Sequence, residues 1–365
     1  TDGNEHYNSK GSAHGELYDD FAFTAGLRRY YWDVYVDEAQ TENPLMAHNY
    51  FTADATRIFS QSAGAALVAV NQNLNATLGA FDKVEMFGPV DQVHVGAYVG
   101  GGTVRAKTGS HVDVDSVSAA LTVSKKTGHD LGETTLGLFG EFGHGNYDTF
   151  ASIARYGDVM GDGNVNTYGG GFFFRTLFSQ NTFIEASVRG GGIHNDYSLT
   201  RDPWIQNPGV HSYETNNSYY GAHLGLGQKF DLGDLTSLEG YGRYFWTRTH
   251  KDEFTTGFGD KVELDAVDSS RARLGARLNR SIAGGTVQFY VGAAAEHEFD
   301  GKITGRYAGD PISDPPKIKG TSGFGEIGLN IMPTGSRNFS INTEVFGLTG
   351  RQEGVGGSAA FSLNF

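Results

Sequence analysis

The chain has 365 residues, a formal net charge of −14, 53 glycines, 25 phenylalanines, 18 tyrosines and no cysteine. The acidic balance argues against a nucleic-acid partner, and the missing cysteines exclude a disulfide scaffold and a thiolate metal site. Mean hydropathy is negative and no run reaches the ~18–20 apolar residues of a membrane helix, yet a barrel strand spans with only about 9–11 residues, half of them facing lipid.

Residues 1–50 read differently from the rest. Thr1–Asp20 is polar and turn-like, Phe23–Val36 (FTAGLRRYYWDVYV) reads as an aromatic strand pair or a solenoid rung, and Pro44 breaks it. The chain opens at Thr1 without a leader-like segment and is read as a mature or excised fragment. Residues 51–82 follow as one helix, clearest over 52–80. Asp54 is a candidate cap, and Ile58, Phe59, Ala63, Ala66, Leu67, Val70, Leu74 and Leu78 recur at helical spacing. Ala65, Ala66 and Ala69 keep it slim. At 1.5 Å per residue it is roughly 40 Å long, enough to cross a pore of bilayer height.

Residues 83–365 form the third part, with twelve strand-like runs near 91–105, 111–125, 131–144, 164–178, 181–199, 214–231, 236–250, 261–281, 285–300, 319–332, 338–350 and 353–365. An even count returns both ends of a closed barrel to one side. Connections alternate in length. Phe178–Asn181, Asp231–Leu235, Ser281–Gly285 and Pro333–Arg337 are short, and Lys125–Asp130 is a somewhat longer turn of the same kind. The interleaved 145–163, 200–213, 251–260 and 301–318 are long.

Within the runs, charge and apolarity separate by parity. Arg271, Arg273 and Arg277 alternate with Ala272, Leu274 and Leu278, while Glu185 and Arg189 oppose Ile184 and Val188. A midplane charge facing lipid costs ~2–4 kcal/mol, so the charged faces point inward and the lumen is expected to be wet and ionic. The last run places Val355, Ala359, Phe361, Leu363 and the terminal Phe365 on one face. The fold expected is an all-β membrane protein, a 12-stranded antiparallel transmembrane β-barrel with an N-terminal α-helix threading the pore.

This plan resembles the C-terminal translocator of monomeric autotransporters, the type V secretion proteins. Ser269–Asn279 (SSRARLGARLN) is similar to the family's eighth strand, Ala293–Phe299 (AAAEHEF) to its ninth, and Tyr30–Val36 (YYWDVYV) to the last rung of a β-helical passenger. The likeness spans roughly residues 20–365. It implies residence in the outer membrane of a Gram-negative bacterium, with the N-terminal segment at the cell surface. It implies export and display of the chain's own passenger, the helix then plugging the pore. Implied partners are outer-membrane lipid and lipopolysaccharide, periplasmic chaperones and the barrel-assembly machinery. The assembly signal would be Phe361, Leu363 and Phe365, with Ala360 where the family usually has glycine. A monomer is expected.

Candidate lumen charges are Glu185, Arg189, Glu239, Arg243, Arg271, Arg273, Arg277, Glu296, Glu298, Glu326 and Glu344. Some family members cut themselves in the pore when an Asn amide attacks its own backbone carbonyl. Asn75-Ala76 matches one such junction, with Asn71 and Asn73 as weaker candidates, and each also reads as a plain polar helix residue in a wet lumen. Otherwise no chemistry, cofactor or metal is expected: there is no HExxH, no G-x-S-x-G, and GDGN (161–164) with Asp158 lacks a full calcium-loop pattern. The competing readings are an outer-membrane channel with an N-terminal plug, and an enzyme or adhesin built on the outer loops.

Overall fold

The computed structural model describes residues 16–17, 21–25, 28–36, 45–52, 56–87, 90–153, 157–203, 211–257, 259–282, 286–312, 314–332 and 339–365, with side chains from residue 56 onward except 80 and 82–87. Four strands come first: β1 (Glu16–Leu17), β2 (Phe21–Ala25), β3 (Arg28–Val36) and β4 (Leu45–Thr52). Of the two options open for the aromatic segment, the backbone takes the strand pair, with β2 and β3 antiparallel from Phe21↔Trp32 to Ala25↔Arg28. Pro44 lies outside the described residues.

Helix α1 runs Arg57–Phe87, later at both ends than 51–82. Phe51 and Thr52 belong to β4, and Asp54 lies outside the described residues. The apolar period continues through Phe81, and the first stop signal in sequence is Gly88-Pro89.

The barrel strands follow: β5 (Val93–Lys107), β6 (His111–His129), β7 (Gly132–Ile153), β8 (Gly157–Phe178), β9 (Thr182–Arg201), β10 (Tyr213–Gly233) and β11 (Thr236–Thr249). Next come β12 (Asp252–Thr255) and β13 (Lys261–Leu264), then β14 (Val267–Ile282) and β15 (Val287–Glu298). The last are β16 (Gly305–Tyr307), β17 (Asp310–Pro311), β18 (Gly320–Ile331), β19 (Phe339–Gly350) and β20 (Gln352–Asn364). Twelve close on themselves, β5 to β11 followed by β14, β15, β18, β19 and β20. The seam is β20 on β5, and it is finished by Phe365, whose amide donates to the Val93 carbonyl (3.0 Å) while that of Val93 donates back (3.2 Å). Closure leaves no unpaired edge in lipid.

Three connections differ from expectation. Pairing runs unbroken from Lys125↔Leu136 to His129↔Gly132, so Lys125–His129 is strand and the turn is only Asp130 and Leu131. The expected 145–163 loop is mostly strand, since β7 and β8 pair as far as Ile153↔Gly157. The expected 261–281 strand is two: Lys261–Leu264 joins β12, β16 and β17 in a separate four-stranded sheet, and the barrel strand begins at Val267.

The reason the second was missed is physical. Along β7, Leu136, Leu138 and Phe142 point outward and are exposed, while Glu141 points in and is buried. Beyond His144 the polarity inverts: Asn146 and Asp148 point out, while Tyr147, Ala151 and Ile153 point in. Strand that leaves lipid must face water outside and can hold an apolar core inside. The same inversion turns the GDGN of 161–164 into β8, with Asp162 opposite Asp148.

Candidate functional site

The lumen has two zones set by what α1 presents. The half from Ile58 to Val70 is buried among Val104, Val112, Val114, Tyr147, Val165, Ile193, Tyr197 and Val267. The half of the lumen around the helix start is therefore largely apolar, and the ionic lumen expected from parity lies further along the helix. Over the mouth, Phe59 stacks on Tyr307 (5.9–6.1 Å contacts include His211, Tyr213 and Tyr307) and meets Phe254 at 5.6 Å. Phe254 and Tyr307 come from β12 and β16, so the separate four-stranded sheet caps the helix start. Arg57 also reaches Asp314 at 2.6 Å.

At this cap, burial holds the His211 imidazole down at about 4, partly offset by Asp260. An opened cap lets His211 return toward its ordinary value of ~6.5. The open form then binds more protons between those two values. Cap stability is full above about pH 6.5 and is lost as pH falls toward 4. Asp252, whose carboxyl burial pushes up, acts in the opposite sense at the acid end. Limited proteolysis of 251–260 is expected to be faster at pH 5.5 than at 7.5, and His211→Phe to abolish the difference.

Below this zone all eleven sequence-chosen charges lie on the inner face, positioned by strand alternation. Glu185 is held by Arg175 (2.8 Å), Arg243 (2.6 Å) and His223 (3.2 Å). Arg189 meets Glu141 (3.1 Å) and donates through both terminal nitrogens to the Val70 carbonyl of the helix (3.2 Å). Glu296 takes Arg271 (3.1 Å) and Arg273 (2.8 Å). Glu326 takes Arg277 (2.6 Å), Glu344 accepts from the Tyr290 hydroxyl (2.6 Å), and Glu298 from Ser269 (2.5 Å). Glu239 stands 4.0 Å from Lys229. Burying such charges costs several kcal/mol per ion unless each is compensated, and here each has an ion-pair or hydrogen-bond partner.

Glu141, Arg175, His223 and Tyr219 were missed. Tyr219 and Thr77 both donate to Glu141, Thr77 at 2.9 Å. Glu141 was legible from its parity between Gly140 and Phe142; Arg175 was obscured by the unbroken Phe172–Phe174 run.

The three helix asparagines divide. Asn71 donates to Ser269 (3.2 Å) and accepts from Arg271 (3.2 Å), and Asn75 accepts from Arg273 (3.0 Å). Asn73 turns to the opposite wall, where its amide satisfies Ser118 (2.7 Å) and its oxygen accepts from Thr167 (2.6 Å). Ala76 packs with Tyr98, Ala120 and Ala360. Residue 360 must be small there because the helix lies against it. Phe361, Leu363 and Phe365 point outward and are exposed. A cavity of about 90 Å³ remains beside the helix, lined by Asn71, Asn75, Arg271, Arg273, Glu296 and Glu344 among others.

A closed twelve-stranded barrel with an apolar outer band, an ionic midsection and a helix through its lumen is a helix-filled outer-membrane β-barrel. The family model of the autotransporter β-domain matches residues 127–345, more than half of the chain. The chain belongs to that family, as a translocator domain for passenger export across the outer membrane. Among solved structures it is similar to the translocator domain of NalP from Neisseria meningitidis (12% identity, 84% of this chain and 99% of that one, TM-score 0.63). It is also similar to the β-domain of the Bordetella autotransporter BrkA (15%, 75% and 100%, TM-score 0.60) and to the transport unit of AIDA-I from Escherichia coli (13%, 85% and 99%, TM-score 0.60). At these identities the likeness concerns the fold. No curated protein matches the sequence.

Proposed function

We propose that α1 is the resting plug of an exported chain, with its N-terminal end leading to the cell surface and the passenger displayed there. One observation carries this reading. The start of α1 sits under the outer sheet of β12, β13, β16 and β17, whereas Phe81 stacks on Phe173 (3.9 Å) near the short-turn end, and the chain then enters β5. Short turns on the periplasmic side and long connections outside are the rule for such barrels. The lumen charges then hold the plug and brace the wall. The outward Phe361, Leu363 and Phe365 serve as the signal read by the assembly machinery, with chaperones acting before insertion. The test uses protease added to intact cells. A tag placed before residue 16 is expected to be removed, and a tag in the Asp130–Leu131 turn to survive until the outer membrane is breached. The reverse pattern would sink the orientation.

A second reading rests on Asn75. Arg273 polarises its carboxamide at 3.0 Å, and the gap beside it is lined by Glu296, Glu326 and Glu344, which supply bases. Self-cleavage at Asn75-Ala76 is read by intact mass of protein recovered from the outer membrane with its native upstream region. A break lost in Asn75→Ala establishes release; a single uncut mass leaves the passenger tethered.

A further inference from the structure

We infer that Ser269, Arg271 and Arg273 of β14 and Asn71 and Asn75 of α1 form a two-tooth latch that fixes the helix at one height in the pore. The inference rests on the plug reading and deepens it: the lumen holds the plug at one register, not merely within a wet cylinder.

The spacings match across two kinds of secondary structure. Arg271 and Arg273 are two residues apart, so they share the inner face of β14 and stand about 6.8 Å apart along it. With a barrel tilt of roughly 35–45° this projects to about 5 Å along the pore axis. Asn71 and Asn75 are four residues apart, on one face of α1 and about 6 Å apart along its axis. Each guanidinium therefore meets one carboxamide oxygen, Arg271 on Asn71 (3.2 Å) and Arg273 on Asn75 (3.0 Å). Ser269 completes the upper tooth by accepting from the Asn71 amide (3.2 Å) while it donates to Glu298 (2.5 Å). Glu296 bridges both arginines (3.1 and 2.8 Å) and keeps the teeth aimed.

Only one height satisfies both teeth. Slipping the helix outward by one turn puts Asn75 at Arg271 and Gly79 at Arg273. Slipping it inward puts Asn71 at Arg273 and Leu67 at Arg271. Either way one guanidinium faces a residue with no side-chain acceptor. The small side chains of Ala63, Ala65, Ala66 and Ala69 discriminate weakly between turns, while Phe59 under the cap and Phe81 against Phe173 add to the latch at the two ends. The asparagines at 71 and 75 thereby acquire a use that requires no cleavage.

The chain has no cysteine, so engineered pairs report height cleanly. Asn73 touches Thr167 at 2.6 Å, and Asn73 is no part of the latch. The pair N73C/T167C is expected to form a disulfide on mild oxidation of the refolded full chain, and T77C/T167C, which requires a one-turn outward slip, to form little. Adding N71A/N75A, or R271Q/R273Q, is expected to raise the T77C/T167C yield at least about tenfold, since hydrogen bonds from charged donors no longer separate the two heights. Asn75→Ala alone removes one tooth and is expected to give a smaller rise, which keeps the test decisive should a double variant fail to assemble. If N73C/T167C links but the slipped pair never rises, the latch is overturned and the plug stands. If N73C/T167C does not link at all, both fall.

Discussion

Glu185→Ala is expected to lower the unfolding free energy of the refolded barrel by about 3–5 kcal/mol, the range for removing one partner of a buried ion pair. Glu185 is a carboxylate shared by Arg175 (2.8 Å), Arg243 (2.6 Å) and His223 (3.2 Å). Both arginine side chains and that of Glu185 are only 5% exposed. Neither cation can easily swing to water: the Arg175 guanidinium lies 4.0 Å over the Phe183 ring and that of Arg243 4.8 Å over Tyr241. The loss is thus dominated by two cations left in a closed site, more than by the worth of the bonds themselves. Glu185→Gln keeps the shape and some hydrogen bonding and should fall between. Adding Arg243→Ala to Glu185→Ala should recover part of the loss, because one of the stranded charges goes with it. Urea titration in detergent followed by tryptophan fluorescence measures all four proteins. A loss below about 1 kcal/mol for Glu185→Ala would mean that the midsection is well hydrated and its ion pairs behave like surface pairs.

How much of this was legible in the sequence depended on whether one physical rule held along a whole segment. Parity with apolar residues outward located the twelve strands and put Arg271, Arg273 and Arg277 inside, since lipid enforces that rule at every membrane-depth position. It failed over 145–163 because the solvent changed there. Once β7 and β8 leave the apolar band, Tyr147 and Ile153 go in and Asp148 goes out. A run obeying the opposite parity looks like no pattern at all when one polarity is assumed. The helix was visible from its period, but the different uses of Asn71, Asn73 and Asn75 were not. Two residues of separation on a helix is about 200° of rotation, so Asn73 faces the far wall, and which wall carries arginines depends on barrel register. Glu141 was within reach of parity. His223, between Ala222 and Leu224, was equally within its reach; its partners Glu185 and Ser187 (3.0 Å from its ring), on another strand, were not.

Leu274→Arg is expected to cost about 2–4 kcal/mol when the barrel is unfolded from lipid vesicles, the depth-dependent penalty for an arginine facing the bilayer midplane. Leu274 is the test position because its neighbour is already Arg273. One step along β14 reverses the face, so Arg273 is 6% exposed inside and Leu274 is 71% exposed outside. The opposite residues on β11 and β15, Gly242 and Ala295, offer no carboxylate to pair with a new cation. Were the outer face in water, the change would sit within ±0.5 kcal/mol, as surface substitutions do. A matched control separates lipid from loss of packing: Leu274→Ala trims the same side chain without adding charge and should cost much less. Asp148, outward but beyond the polarity inversion, supplies the second control, where Asp148→Arg should show no bilayer penalty. Equal small effects at 274 and 148 would mean that the apolar band is not a lipid contact. A large effect at 274 alone marks both the membrane and its outer edge on the same strands that hold the plug.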